Sequence, residues 1–171
     1  MTELLEAIEL ETGKNPVTSV IWLHGLGADG HDFEAIVPEL DLPAMPIRFV
    51  FPHAPMQPVT INAGMVMRAW YDVSDAAIRR EDEAGVRASQ AHLEALIARE
   101  RERGTSANRL LLAGFSQGGA IALHTGLRHR ERLAGIMALS CYLPLADNLA
   151  AEAHPANRDV PLFMGHGSED P

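Results

Sequence analysis

Residues 109–123, RLLLAGFSQGGAIAL, form the segment that decides the fold. An apolar run typical of a buried strand leads into the pentapeptide GFSQG at residues 114–118, and a helix-like segment follows it. This is the G-x-S-x-G pattern of a nucleophile elbow, in which a sharp strand-to-helix turn lifts the serine hydroxyl clear of the sheet. The two glycines remove Cβ atoms that would collide in such a turn. Because a strand and a helix flank the pentapeptide, we interpret Ser116 as a nucleophile; a plain flexible turn is the alternative.

Strand-like and helix-like segments alternate along the rest of the chain. Continuous apolar runs, typical of buried parallel strands, lie at residues 17–25, 47–52, 109–115, 133–141 and 160–166. Helical patterns lie at residues 31–40, 81–104 and 117–130. This order predicts an α/β fold with a mostly parallel central sheet covered by helices on both faces. We expect a single domain over residues 1–171, in which residues 53–72 form a long functional loop outside the core.

Composition and charge exclude several functional classes. The chain has 171 residues, of which 47% are hydrophobic and 22% charged, as in ordered globular proteins. Its net charge of −9 disfavours nucleic acid as a partner. The acidic start of the chain and the absence of an apolar run of about 18 residues predict a cytoplasmic protein without stable membrane insertion. The single cysteine, Cys141, fits a reducing compartment and is interpreted as a buried structural thiol.

Acyl transfer by a serine also requires backbone donors that face the oxygen on which negative charge develops. The amide of Gln117, at the start of the helix after Ser116, is one candidate donor. The amide of Leu26 is the second candidate, because it lies in the glycine-rich loop LHGLGADG at residues 23–30, after an early strand. A plain β-to-α turn is the alternative for this loop. No H-x-H or H-E-x-x-H pattern occurs, so no metal and no other cofactor is expected.

From residue 17 onward the chain resembles the small carboxylesterases of the α/β-hydrolase superfamily that group with acyl-protein thioesterases and lysophospholipases. The similar segments occur in the family's order: VIWLHGLGADG, FVFPHAP, PVTIN with WYD after it, LLLAGFSQGGAIALHT, LAGIMALSCYLPL and HGSEDP. The resemblance implies hydrolysis of short- to medium-chain carboxylic esters or thioesters, on small molecules or on acylated protein, through an acyl-enzyme on Ser116.

The resemblance also implies roles for individual residues. The amides of Leu26 and Gln117 would form the oxyanion hole, and Asp170 would be the acid of the catalytic triad. Trp70 would help to line the acyl-binding cleft, although a core aromatic is the alternative for this side chain.

The third member of the triad, a histidine, is the residue that the resemblance does not place. The triad order in α/β-hydrolases is serine, acid, histidine, and only Pro171 follows Asp170. The resemblance therefore implies that the histidine, a last strand and a closing helix lie beyond Pro171 and are missing here. An internal set of Ser116, Asp147 and His154 has the right order, but its two partners lie in a variable loop. The alternative function is a catalytically incompetent short product that binds acyl ligands or a partner chain.

The absence of a last strand has a consequence for residues 160–166, VPLFMGH. They would form the edge of the sheet, with open backbone groups and apolar side chains, a combination that favours pairing with another chain. The sequence therefore predicts self-association through this edge strand, as a homodimer or as an aggregate.

Overall fold

The computed structural model describes residues 2–74 and 81–171. The strands in these ranges are β1 Ala7–Glu11, β2 Thr18–Leu23, β3 Ile47–Pro52, β4 Met56–Val59, β5 Met65–Arg68, β6 Leu110–Phe115, β7 Gly135–Leu139 and β8 Leu162–Gly165. Six of them form the central sheet, in the order β1-β3-β2-β6-β7-β8. β1 runs antiparallel to β3, and every other neighbouring pair is parallel. The predicted α/β architecture with a mostly parallel sheet is confirmed.

The α-helices of the described ranges are α1 Glu83–Glu102, α2 Gln117–Arg128 and α3 Leu149–Glu152. α1 begins after Asp82, whose side chain accepts a hydrogen bond from the Gly85 amide and so caps the first turn. The buried faces of α1 and α2 join a core cluster with inward side chains of β2 and β6. Both long helices therefore contribute to one core, on one side of the sheet.

The opposite side of the sheet has a second, smaller core, which is rich in aromatic side chains. Its helical cover within the described ranges is the six-residue 3-10 helix Glu34–Glu39. The sequence predicted an ordinary short helix over residues 31–40, but Pro38 lies inside this segment. Proline has no amide hydrogen and restricts the residue before it, which explains why the segment forms one tight 3-10 element.

Two features of the fold differ from the sequence predictions. Residues 53–72 are not simply a loop, because β4 and β5 pair there as an antiparallel hairpin, separate from the main sheet. This segment also contributes to the core, since Ala54, Val59 and Trp70 are buried. In addition, β1 was not predicted, although the alternation of Ile8 and Leu10 with glutamates is typical of a half-exposed edge strand.

A buried histidine joins the two long helices. His124 on α2 is fully buried, at 0% exposure, and its Nε2 lies 2.8 Å from Oε1 of Gln90 on α1. Desolvation by burial, together with the nearby Arg128 charge, lowers the pKa of His124 to about 4. The imidazole is therefore neutral in the folded protein at neutral pH, and its Nε2–H donates to the Gln90 carbonyl.

We expect the free energy of unfolding to fall as the pH is lowered from 6.5, the ordinary pKa of histidine, to about 4. Above pH 6.5 His124 is neutral in both states, and its contribution to stability is complete. Below that pH the unfolded chain binds a proton that the folded chain does not, which costs roughly 3 kcal/mol by pH 4. Urea unfolding over this pH range should show a shallower pH dependence for His124→Gln than for wild type. Equal slopes in the two proteins would contradict the expectation.

Candidate active site

Ser116 lies at the turn between β6 and α2, where the backbone is strained. Its φ of 53° and ψ of −122° lie in a region that non-glycine residues rarely occupy. The turn is fixed on both sides, because the Ser116 amide donates to the Leu139 carbonyl on β7 at 2.9 Å, and the Ser116 carbonyl accepts from the Ala120 amide at 3.0 Å. The strand–turn–helix context that the G-x-S-x-G pattern requires is present.

The two glycines of the pattern are required by close backbone contacts. A Cβ added to Gly114 would lie 2.3 Å from the carbonyl group of Gly118. A Cβ added to Gly118 would lie 2.3 Å from the carbonyl oxygen of Leu23 and 2.4 Å from that of His24. Backbone atoms cannot move aside as a flexible side chain can. Glycine at position 114 therefore permits the turn from β6 into α2, and glycine at position 118 permits the close approach of α2 to the end of β2.

The two predicted oxyanion donors lie beside Ser116. Leu26 and Gln117 line the same cavity as Ser116. Within the described ranges, neither backbone amide donates to an acceptor of the chain. Two N–H groups without an acceptor in the described ranges, next to a strained serine, are an arrangement that can stabilise an oxyanion.

His24 gives the Leu26 loop its shape. Its Nδ1–H donates to the carbonyl of Gly25 at 2.7 Å, and its Nε2 accepts from the amide of Ala54 at 3.0 Å. The ring is almost completely buried, and this burial lowers the pKa of His24 below its ordinary value. His24 is thus a neutral structural residue, with both ring nitrogens occupied.

The cavity in front of Ser116 has a volume of about 320 Å³. Among the described residues, its lining consists of Leu26, Tyr71, Asp72, Val73, Ser74, Glu81, Asp82, Ser116, Gln117, Ser140, Cys141, Tyr142, His166, Asp170 and Pro171. The structure therefore brings Ser116, Asp170 and the two predicted donor residues to one cavity. Burial raises the pKa of the half-buried Cys141 to about 11, which leaves its thiol protonated and a poor nucleophile at neutral pH.

Trp70 does not occupy the position predicted for it in the cleft wall. Its side chain is only 2% exposed and lies in the main core, whereas the next residue, Tyr71, lines the cavity. The structural reason is that the indole Nε1–H donates to the carbonyl of His24 at 2.8 Å, which turns the ring toward the interior. The alternative considered from sequence, a core aromatic, describes its position.

The histidines of the described ranges occupy different environments. His166 lines the cavity, and its Nε2 lies 3.1 Å from the backbone oxygen of Asp170 and 3.8 Å from its carboxylate Oδ2. His129 contacts Glu94, with 2.8 Å between Nδ1 and Oε2, at the far end of α2. His154 accepts a hydrogen bond from the Ala156 amide at Nδ1 and is not part of the cavity lining. The internal set of Asp147 and His154 is therefore not brought to Ser116.

Two further properties concern metals and membranes. In residues 2–74 and 81–171, no group of three or more histidine, cysteine or acidic side chains is arranged to hold a metal ion. None of the helices described by the structure is long and apolar enough to cross a membrane.

Comparison with known proteins gives consistent matches along most of the chain. The family model described as phospholipase/carboxylesterase matches residues 5–171. Acyl-protein thioesterase 1 of Neurospora crassa is 43% identical, with 90% of this chain and 66% of that protein covered. Acyl-protein thioesterase 1 of Yarrowia lipolytica is 37% identical, with 96% of this chain and 74% of that protein covered.

Solved structures also match the fold. The crystal structure of Arabidopsis thaliana SOBER1 superposes with a TM-score of 0.83 at 31% identity, covering 89% of this chain and 74% of that one. Zea mays acyl-protein thioesterase 2 has a TM-score of 0.80 at 28% identity, with 95% of this chain and 75% of that one covered. The chain thus spans about two thirds to three quarters of the length of the proteins it matches.

Proposed function

Because the chain belongs to the phospholipase/carboxylesterase family, whose members are serine hydrolases of the esterase type with the α/β-hydrolase fold, we propose that it hydrolyses carboxylic esters or thioesters through an acyl-enzyme on Ser116. One observation carries this proposal. The strained Ser116 lines a single cavity with Leu26 and Gln117, whose backbone amides have no acceptor within the described ranges. The thioester part of the proposal is supported by the printed names of the relatives, which are acyl-protein thioesterases.

In the proposed reaction, Ser116 Oγ attacks the acyl carbonyl carbon and transfers its proton to a histidine base. The amides of Leu26 and Gln117 stabilise the oxyanion of the tetrahedral intermediate. The leaving group then takes the proton from the histidine as its bond to the carbonyl carbon breaks, which leaves the acyl-enzyme. Water, activated by the same histidine, releases the acid and regenerates Ser116. Asp170 orients the histidine, which we propose lies beyond residue 171 in a longer, full-length protein. This placement is supported by the triad order, in which the histidine follows the acid, and by the chain's coverage of only about two thirds to three quarters of the proteins it matches.

The cavity supports a substrate of short to medium acyl length. Its volume of about 320 Å³ lies at the small end of ligand sites, and apolar groups contributed by Leu26, Tyr71, Val73 and Tyr142 can hold an acyl chain. The leaving group, either a small alcohol or thiol or the thiol of a protein that loses its acyl group, would lie toward solvent. A cytoplasmic location stays a prediction of the sequence.

Labelling with a fluorophosphonate probe tests this function, because the probe phosphonylates only a serine that a working base activates. We expect stoichiometric labelling of Ser116 in the full-length protein, located by mass spectrometry of the labelled peptide, and none in Ser116→Ala. The alternative of a binding protein without turnover predicts that the wild-type protein stays unlabelled. Absence of labelling in a folded, full-length sample would therefore remove the proposed function.

We further propose that residues 1–171, prepared alone, self-associate through the edge strand β8. Leu162, Phe163 and Met164 are 47%, 62% and 54% exposed, and β8 pairs with β7 on one side only in the structure described. An apolar strand with open backbone groups is a template for edge-to-edge pairing.

Sedimentation velocity across a concentration series measures this association. We expect the weight-average sedimentation coefficient of residues 1–171 to rise with concentration and to fall toward the monomer value in Phe163→Lys, because edge lysines oppose pairing. Met65→Lys is the matched control, since Met65 is 64% exposed but lies on the separate hairpin. A folded species that stays monomeric at tens of micromolar would contradict the proposal.

A further inference from the structure

The segment Trp70–Tyr71 is anchored by four buried hydrogen bonds, three of its backbone and one of the Trp70 indole, to three other parts of the fold. The Trp70 indole Nε1–H donates to the His24 carbonyl at 2.8 Å, and the Trp70 amide donates to Oε1 of Gln117 at 3.0 Å. The Gln117 side-chain Nε2 donates to the Tyr71 carbonyl at 2.8 Å. The hydroxyl of Ser89 on α1 donates to the Trp70 carbonyl. The amide, the carbonyl and the indole N–H of Trp70 therefore all have hydrogen-bond partners.

Two of these anchors adjoin the two proposed oxyanion donors. His24 lies two residues before Leu26, on the loop that follows β2, and Gln117 itself supplies the second amide, at the start of α2. A continuous chain of hydrogen bonds therefore runs from the His24 carbonyl through Trp70 to the Gln117 side chain. The loop and the helix are bridged by a residue that does not itself line the cavity.

We propose that the Trp70 indole and the Gln117 carboxamide are positioning groups that fix the separation of the Leu26 and Gln117 amides. This inference rests on the proposed function, because it concerns the oxyanion hole of that reaction. An oxyanion donor acts only when it lies about 2.7–3.1 Å from the oxygen, and a misplacement of about 1 Å costs on the order of a hundredfold in rate. A bridge that sets the distance between two such donors therefore controls kcat without contacting the substrate.

The positioning depends on the hydrogen bond from the Trp70 indole to the His24 carbonyl, and not on the aromatic ring alone. Phenylalanine at position 70 would keep an aromatic ring in the core but would leave the His24 carbonyl without the indole donor. The chain offers a matched comparison in Trp22, which is 5% exposed in the second core and whose Nε1 has no partner within the described ranges. The same substitution at Trp22 removes ring volume and an N–H, but no hydrogen bond.

The test compares Trp70→Phe with Trp22→Phe in the full-length protein, with a short-chain aryl ester as substrate. We expect Trp70→Phe to lower kcat by about 10- to 100-fold and to leave KM within about twofold, because interactions made only in the transition state are lost. The inhibition constant of a short-chain alkylboronic acid, which forms a tetrahedral adduct with serine, should rise by the same factor as kcat falls. Trp22→Phe should change kcat and the inhibition constant by less than about threefold.

A second variant covers the possibility that Trp70→Phe does not fold, as judged by its thermal melting. Gln117→Met keeps the backbone amide and side-chain length but removes both bonds to the 70–71 backbone, and it should show the same fall in kcat at constant KM. A change confined to KM, or a kcat no lower than that of Trp22→Phe, would overturn the positioning role. These outcomes are distinct from failure of the proposed function, in which Ser116→Ala would keep its activity and wild type would not bind the boronic acid.

Discussion

Replacement of Ser116 by alanine is expected to lower kcat for a short-chain aryl ester by about 10⁶-fold in the full-length protein, as loss of the serine does in a well-studied serine protease. Alanine keeps the cavity and both oxyanion amides but removes the oxygen that becomes acylated. Residual hydrolysis would come from transition-state stabilisation of direct attack by water. Initial rates with a chromogenic ester, measured on protein free of contaminating esterase, provide the test.

Ser106→Ala is the matched control for this change. Ser106 is only partly buried, and its hydroxyl donates to Oδ1 of Asn108 in a turn before β6, away from the cavity lining. Its loss should leave kcat within about twofold of wild type, since surface substitutions outside such sites have small effects. Hydrolysis by Ser116→Ala at a rate near that of wild type would remove the serine mechanism altogether.

The second large effect concerns the histidine base. A polypeptide limited to residues 1–171 is expected to hydrolyse the same ester about 10⁶-fold more slowly than the full-length protein, because loss of the base disables the triad as a unit. The nucleophile, the residues of the two amides and Asp170 all line the cavity, but the base that we propose for the Ser116 proton lies outside residues 1–171. Paired rate measurements on the two proteins, with circular dichroism to verify folding, provide the comparison.

Activity of a polypeptide limited to residues 1–171 would mean that one of its own histidines acts as the base. His166 lines the cavity beside Asp170, whereas His154 does not line it. Activity within a hundredfold of the full-length rate, abolished by His166→Gln but kept by His154→Gln, would identify His166 as the base and contradict the triad order proposed above. Activity lost only in His154→Gln would instead support the internal set with Asp147.

The elbow was predictable from sequence because its chemistry leaves few choices. The close approach of α2 to β6 requires glycine at position 114, and its close approach to the end of β2 requires glycine at position 118; both positions lie within five consecutive residues. The parallel strands were predictable for a similar reason, since burial on both faces produces continuous apolar runs. Both signals are local, and neither needs information about distant partners.

The role of Trp70 was not predictable in the same way. Its orientation depends on the His24 carbonyl and the Gln117 side chain, which are 46 and 47 residues away in the chain. An aromatic residue in a proline-rich segment gives no indication of which side it faces. The β4–β5 hairpin was not predicted because proline, here Pro58, usually indicates that a segment is not a strand. An isolated two-stranded ribbon tolerates proline on its open edge.

The backbone angles of Ser116 also carry a cost that falls on the whole molecule. Residues held at such φ and ψ values cost about 1–3 kcal/mol, a considerable share of the roughly 5–15 kcal/mol by which a domain of this size is stable. Glycine would occupy the same turn without strain. Selection for stability alone would therefore favour glycine at position 116. The catalytically inactive variant Ser116→Gly should have a higher melting temperature than the native protein. The serine that makes this turn reactive therefore lowers the free energy of unfolding, a cost that stabilising changes elsewhere in the sequence can offset.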